Sequence, residues 1–257
     1  MSEQLLSVND LSLRFGAVTA FCGVSFDVAR GEVFAVIGPN GAGKSSLFNA
    51  LSRVYEPSEG VVQLDGRDFL RLRPHQLATH GIARSFQNLG VFPQLTVLEN
   101  VMVGRHHLMK AGVLRGGLGL ARGEERRHRS AAFAALGFVD IHRLAEARVE
   151  TLPYGLQKRV ELARCLAMEP RVMLLDEPVA GMDASERADI TELIERAHSE
   201  RDLTVVIVEH DMSMVMKVAQ RILVLDFGKP IACGTPADVQ RDPRVIRAYL
   251  GEEPVAA

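Results

Sequence analysis

Tryptophan is absent, and aromatic residues make up only 5% of the 257-residue chain. An interfacial aromatic belt or a base-stacking platform therefore has little to build on. Charge of one sign is missing too: 30 Lys and Arg face 32 Asp and Glu, a formal net charge of −2. No global basic field argues for nucleic acid. The three cysteines, Cys22, Cys165 and Cys233, lie far apart and form no Cys-x-x-Cys pair. A disulfide framework or zinc ribbon is unsupported, and a reducing compartment fits. The longest aliphatic runs, at 33–37 and 205–208, fall far short of the ~18–20 residues that a spanning helix needs. Residues 1–10 carry early acids and no long apolar stretch, unlike a signal peptide. Membrane association is expected to come only through a partner.

Hydrophobic residues at 47% and charged residues at 24% suffice to bury a core and exclude disorder. Apolar and polar positions mix over 5–15 and alternate over 24–28, as in half-buried strands. The continuous apolar run 33–37 predicts a buried central strand, and 44–51 a helix. Residues 60–64 read as a strand that turns at Asp65-Gly66. From about 93 to 147 β-branched runs are few, and roughly 90–165 reads as a mainly helical insertion with a loose connector. Helices are predicted over 95–103 and 130–136, joined through a connection containing Gly112, Gly116, Gly117 and Gly119 and the charged stretch 122–129. Strands at 172–175, 203–208, 222–225 and 230–232 then alternate with helices at 184–200, 212–219, 236–240 and 245–250, with Asp183 as the N-cap of the first. Alternation of this kind predicts an α/β fold with a mostly parallel sheet covered on both faces.

The strongest chemical signal is Gly38-Pro39-Asn40-Gly41-Ala42-Gly43-Lys44-Ser45, followed by Ser46. It fits G-x-x-x-x-G-K-[ST] and sits between a predicted buried strand and a helix, the context this motif requires. Glycines let the backbone curl so that its N–H groups point at phosphates, and the helix N-terminus adds partial positive charge. Lys44 supplies a mobile cation, and Ser45 a hydroxyl for Mg2+. The second signal is the strand 172–175 ending in Asp176-Glu177. Acids at a strand's C-terminal edge face the ligand crevice of an α/β sheet. Asp176 can hold Mg2+, and Glu177 can polarise an attacking water.

Between these motifs lies Leu152-Pro153-Tyr154-Gly155-Leu156-Gln157-Lys158-Arg159. It resembles the signature motif of ATP-binding cassette (ABC) ATPases, and its position just before Asp176-Glu177 is the one that family shows. Gln87 in Arg84-Ser85-Phe86-Gln87 resembles the family's Q-loop, Gly181-Met182-Asp183 its D-loop, and His210 in Val208-Glu209-His210-Asp211 its switch histidine. Phe15 occupies the place of the aromatic that stacks on adenine. The resemblance covers nearly the whole chain. It implies a P-loop NTPase cassette over 1–257, whose mostly parallel core sheet is joined by an N-terminal antiparallel β portion and a helical subdomain. The parts are an N-terminal β and P-loop part (1–89), the helical subdomain (90–165), the rest of the core (166–235) and a C-terminal helical tail (236–257).

The resemblance further implies that two cassettes sandwich two ATP molecules head to tail. Phe15, the loop 38–46, Gln87, Asp176, Glu177 and His210 then act in cis, while Pro153, Gly155 and Asp183 act across the interface. Glu177, His210 and Gln87 serve hydrolysis; Ser45, Gln87 and Asp176 serve Mg2+. The family's signature is typically Leu-Ser-Gly-Gly-Gln, and here Pro153 replaces the serine whose hydroxyl meets the opposite γ-phosphate. Closure is expected to be weaker but not lost, so Pro153→Ser should raise ATPase activity.

Tyr154-Gly155, the stretch 92–101, the glycine-rich insertion and the end Gly234-Thr235-Pro236 with 246–251 resemble the ATP-binding subunits of branched-chain amino acid importers. The implied partners are transmembrane permease subunits, a second ATPase (a paralogue or another copy) and, indirectly, a periplasmic binding protein, with no nucleic acid. The implied location is peripheral, at the cytoplasmic face of a bacterial inner membrane. The alternatives are a lipopolysaccharide-export ATPase, which lacks the long insertion, and a soluble ABC ATPase acting on ribosomes or DNA. A subunit that holds ATP but barely hydrolyses it is a further alternative, which Glu177 argues against. Urea, short amides or aromatic acids stay open as cargo. The charged stretch 122–129 reads as a solvated helix face or, more sharply, as a contact with lipid headgroups or a permease loop.

Overall fold

The computed structural model describes residues 3–85, 89–109 and 122–250. Two long strands, β1 (Gln4–Phe15) and β2 (Val18–Ala29), pair antiparallel through a turn at Gly16, which takes the left-handed φ of +58°. β4 (Glu59–Leu64) joins the other edge of β1, and β5 (Arg67–Asp68) returns through a turn in which Asp65 and Gly66 both have positive φ. This left-handed pair matches the twist of a two-residue hairpin. The result is a four-stranded antiparallel sheet ordered β2-β1-β4-β5.

The second sheet has six strands ordered β10-β9-β3-β8-β7-β6. They are β3 (Val33–Ile37), β6 (Ile82–Arg84), β7 (Val172–Asp176), β8 (Thr204–Val208), β9 (Arg221–Asp226) and β10 (Lys229–Gly234). All neighbours run parallel except β9 and β10. Every residue of β3, β7 and β8 is buried, which explains why their sequences are almost entirely apolar: both faces are covered.

The helices are α1 (Lys44–Leu51), α2 (Val97–Gly104), α3 (Arg122–Phe138), α4 (Tyr154–Ala167), α5 (Ala184–Arg201), α6 (Met212–Val218), α7 (Pro236–Arg241) and α8 (Pro243–Leu250). One core joins Val97 and Val101 of α2, Ala132 and Leu136 of α3, and Val160 and Ala163 of α4 to Met173 and Leu175 of β7. A second lies between the two sheets around Leu47 and Phe48 of α1, side chains whose full burial contributes about 1.5–3 kcal/mol each. A third packs Val215, Val239 and Val245 against Ala35 and Ile37 of β3, so the C-terminal helices cover the strand that leads into the glycine loop.

Three expectations shift. β6 was not anticipated, since three residues are too few to show a period. The helix expected over 130–136 starts at Arg122, so the charged stretch belongs to it. Most of that stretch is exposed, but His128 is buried and accepts from Arg105 Nε through Nδ1 at 3.1 Å. Arg105 Nη1 also donates to the Ala167 carbonyl at 2.6 Å, placing a cation at the end of α4, where the helix dipole favours one. Finally, the sequence reads as a helix over 160–168, whereas α4 begins at Tyr154, directly after Pro153. The connection containing Gly112, Gly116, Gly117 and Gly119 lies outside the described residues. No described helix is long and apolar enough to cross a membrane.

Candidate functional site

β3 ends where the backbone must curl. A Cβ on Gly38 (φ +151°) would collide with the Leu225 carbonyl oxygen of β9, and one on Gly43 (φ +93°) would lie 2.5 Å from the Ala20 carbonyl of β2. The loop is pinned from outside: Gly228 N–H, in the β9–β10 turn, donates to the Ala42 carbonyl at 3.1 Å, and Cys22 N–H to the Gly228 carbonyl at 2.9 Å. Gly43 caps α1 with no side chain in the way, and Lys44 and Ser45 open that helix. Lys44 is buried and folds back to donate to the carbonyls of Gly38 (2.7 Å) and Pro39 (2.9 Å). Burial pulls its ammonium below the ordinary lysine range, while Glu177 and Glu209 oppose that shift. A buried, charged amine resting on two neutral carbonyls is poorly compensated and poised for an anion.

Asp176 ends β7, next but one to β3. Its side chain is 3% exposed, and Oδ2 accepts from Arg84 Nη2 at 3.0 Å. Oδ1 is buried without a hydrogen-bond partner among the described residues. Burial raises the Asp176 pKa, with Arg84 opposing. Glu177 follows with φ +47°, a left-handed conformation that costs a non-glycine residue of order 1–3 kcal/mol. Its N–H donates to the Val208 carbonyl at 2.9 Å, fastening the turn after β7 to the end of β8. His210 Nδ1 lies 3.8 Å from Glu177 Oε1 and 3.4 Å from Glu209 Oε2. Lys44, Asp176, Glu177 and His210 thus gather at the C-terminal edge of neighbouring parallel strands, where α/β sheets bind ligands.

The remaining expected residues sit further out. Phe15 is 48% exposed at the end of β1, its ring edge-on to Tyr55 with centroids 5.1 Å apart. Pro153 is the N-cap of α4 and makes no side-chain cap bond. Gly155 faces Glu186 so closely that a Cβ would lie 2.5 Å from Glu186 Oε1, and Tyr154 Oη donates to the Ala180 carbonyl at 3.2 Å. The signature segment therefore rests on the Gly181 turn of the same chain. Asp183 caps α5, accepting the N–H groups of Ser185 (2.8 Å) and Glu186 (2.9 Å). Gln87 lies outside the described residues.

Residue-by-residue reading gave no role to Glu209, Arg84, Ser85 or Tyr249. Glu209 is fully buried, and its carboxylate accepts N–H groups from Val179 (3.3 Å), His210 (2.6 Å) and Asp211 (3.0 Å). An acid immediately after the apolar run 205–208 was the available signal. Ser85 Oγ accepts the Asp176 N–H at 3.1 Å. Burial raises the pKa of Tyr249 on α8, with the Gly38 backbone opposing the shift. Nothing local in the sequence announces these long-range pairs.

Residues 21–180 match the family model described as ABC transporter, and residues 229–255 that of the branched-chain amino acid ATP-binding cassette transporter. The high-affinity branched-chain amino acid transport ATP-binding protein BraF of Pseudomonas aeruginosa is 39% identical over 98% of this chain and 100% of its own length. The ADP conformation of MJ1267, an ATP-binding cassette of an ABC transporter, has the same fold (TM-score 0.85, 29% identity, 98% of this chain and 100% of that one). So does the dimeric bacterial ABC transporter cassette MJ0796 (TM-score 0.77, 26% identity, 90% and 99%). With the glycine loop, the paired acids and these likenesses together, the chain belongs to the ABC transporter family, as an ATP-binding, ATP-hydrolysing cassette.

Proposed function

We propose that this cassette energises an importer of branched-chain amino acids, and that its hydrolytic site is the cluster at the strand edge. The observation that carries the site is Lys44, buried, donating to two loop carbonyls and within electrostatic reach of Glu177 and Glu209. In this reading Lys44 exchanges those carbonyls for the β and γ phosphates of ATP, which the loop 38–46 surrounds with N–H groups. Phe15 stacks on the adenine. The Ser45 hydroxyl and Asp176 fit a Mg2+ ion. Asp176 Oδ1 is a buried oxygen with no hydrogen-bond partner among the described residues, the donor type a hard cation takes. When bound, that ion neutralises phosphate charge; Gln87 completes the set in this reading.

Hydrolysis then needs a proton acceptor and a donor to the leaving phosphate. Glu177 takes the proton from the attacking water as the new P–O bond forms and the bond to ADP breaks. His210 donates to a γ-phosphate oxygen, and Glu209 fixes its backbone. Gly155 and Asp183 meet the ATP of a second cassette, a paralogue or another copy. Support comes from α4, whose N-terminus offers Gly155 and carries no side-chain cap, leaving donors for an anion. The dimeric form of MJ0796 points the same way.

A permease segment seats in an apolar groove of about 500 Å3 lined by Val54, Leu77, Phe92 and Val103, with Arg84 and Arg164 in its wall. Phe92 and Val103 are exposed there, and Asn100 holds the Phe92 backbone at both N–H (2.7 Å) and carbonyl (3.0 Å). In this reading the groove holds the chain against permeases at the cytoplasmic face of the inner membrane, with a periplasmic binding protein delivering cargo on the far side. Closure by ATP does work only because ATP binds the closed pair better than the open one. Uptake of radiolabelled leucine by cells with the wild-type chain, without it and with Glu177→Gln tests the reading. Uptake only with wild type supports it; equal uptake in all three refutes it.

A further inference from the structure

Arg84 ends β6, and its side chain is only 12% exposed. Its guanidinium joins three elements. Nη2 donates to Asp176 Oδ2 at the end of β7 (3.0 Å) and to Asn49 Oδ1 of α1 (2.8 Å), while Nη1 bonds Ser52 Oγ just after α1. The guanidinium carbon lies 5.4 Å from the Phe48 ring centroid. Ser52 is itself anchored, donating to the Phe48 carbonyl at 2.8 Å. Arg84 is thus braced against the helix whose first residues are Lys44 and Ser45.

This bracing has a consequence for Asp176. A carboxylate as buried as this one needs a counter-charge, and a planar guanidinium supplies charge and direction together. Arg84 occupies Oδ2, and Oδ1 has no hydrogen-bond partner among the described residues. The orientation of the carboxylate, and its spacing from α1, follow from this one side chain.

We propose that Arg84 is the positioning residue for Asp176: it fixes one carboxylate oxygen and presents the other to the divalent cation that accompanies ATP. The proposal rests on the reading of Asp176 as a cation ligand. It gives Arg84, which also borders the apolar groove, a role of its own beside the Gln87 segment.

The test uses the full chain, Mn2+ as the spectroscopic probe of the cation and a non-hydrolysable ATP analogue. Free Mn2+ is followed by electron paramagnetic resonance for wild type, Arg84→Met, Arg84→Lys, Asp176→Asn and the double variant Arg84→Met/Asp176→Asn. Loss of a residue that orients a ligand typically weakens metal binding ~10–100-fold, and a drop of at least about tenfold is expected for Arg84→Met. Arg84→Lys keeps the charge but not the fork, and falls in between. Affinity for the analogue in excess chelator stays unchanged, and Arg84→Met adds nothing once Asp176 is Asn. The proposal is overturned by wild-type Mn2+ affinity in Arg84→Met, by a full further loss in the double variant, or by an equal loss of analogue binding without metal. Arg84→Lys keeps the test decisive if Arg84→Met does not fold. No Mn2+ uptake by the wild-type complex would overturn the metal reading of Asp176 itself; uptake indifferent to Arg84 overturns only its positioning role.

Discussion

The fully buried carboxylate of Glu209 accepts the backbone N–H of His210 at 2.6 Å, and its other oxygen accepts that of Val179 at 3.3 Å. One side chain therefore sets the distance between the turn after β7, which carries Glu177, and the turn after β8, which carries His210. Glu209→Gln turns one acceptor into a donor facing an N–H donor. A loss of about 1–3 kcal/mol in stability is expected for the unsatisfied group. We expect kcat to fall while ATP affinity holds. Urea unfolding and separate kcat and KM values check this; an unchanged kcat would contradict it.

Glu177→Gln preserves volume and removes the proton acceptor. ATP binding should persist while turnover drops by ~10²–10⁴, the usual contribution of a general base. Single-turnover hydrolysis with bound nucleotide separates the two effects. Turnover at the wild-type rate would remove Glu177 from that role.

Much of this site is legible from residue types alone. The run at 33–37, the glycines after it and Lys44-Ser45 announce β3, the loop and α1, because each depends on local backbone preference. Asp176-Glu177 is legible because a buried strand cannot end in two acids without reason. The pairs that fix the site are not legible. Arg84 meets Asp176 across 92 positions, and Val179 meets Glu209 across 30. Such contacts are set by strand order, which periodicity does not encode. β6 escaped because three residues show no period, and the start of α3 because its charged first turns hide the apolar face that begins at His128.

The glycines of the loop should differ in tolerance. Gly38→Ala places a Cβ against the Leu225 carbonyl at positive φ, and a loss above ~1–3 kcal/mol is expected. Gly41→Ala meets nothing within 4 Å, so only the left-handed backbone cost of roughly 1–2 kcal/mol remains. Thermal melts of the two variants without nucleotide test the ranking, which equal or reversed losses would refute.

Cys165 gives a pH dependence. Burial, with Glu161 adding, pushes its thiol up to about 12. An acid whose folded pKa lies above the ordinary thiol value of ~8.5 stabilises the fold fully below that pH and loses the contribution as pH climbs towards the folded value. Urea midpoints should therefore decline on the alkaline side, and Cys165→Ala should flatten the decline. In the folded chain iodoacetamide should label exposed Cys233 first and leave Cys165 unmodified. Rapid labelling of Cys165 in folded protein would contradict its burial.

Everything rests on the glycine loop and Lys44 gripping a nucleotide triphosphate. Calorimetric titration of ATP with magnesium into the full chain, beside Lys44→Met, tests this most directly. Saturable binding by wild type, lost in a folded Lys44→Met, is the predicted result; no heat of binding from folded wild-type chain, or equal binding by both, would contradict it.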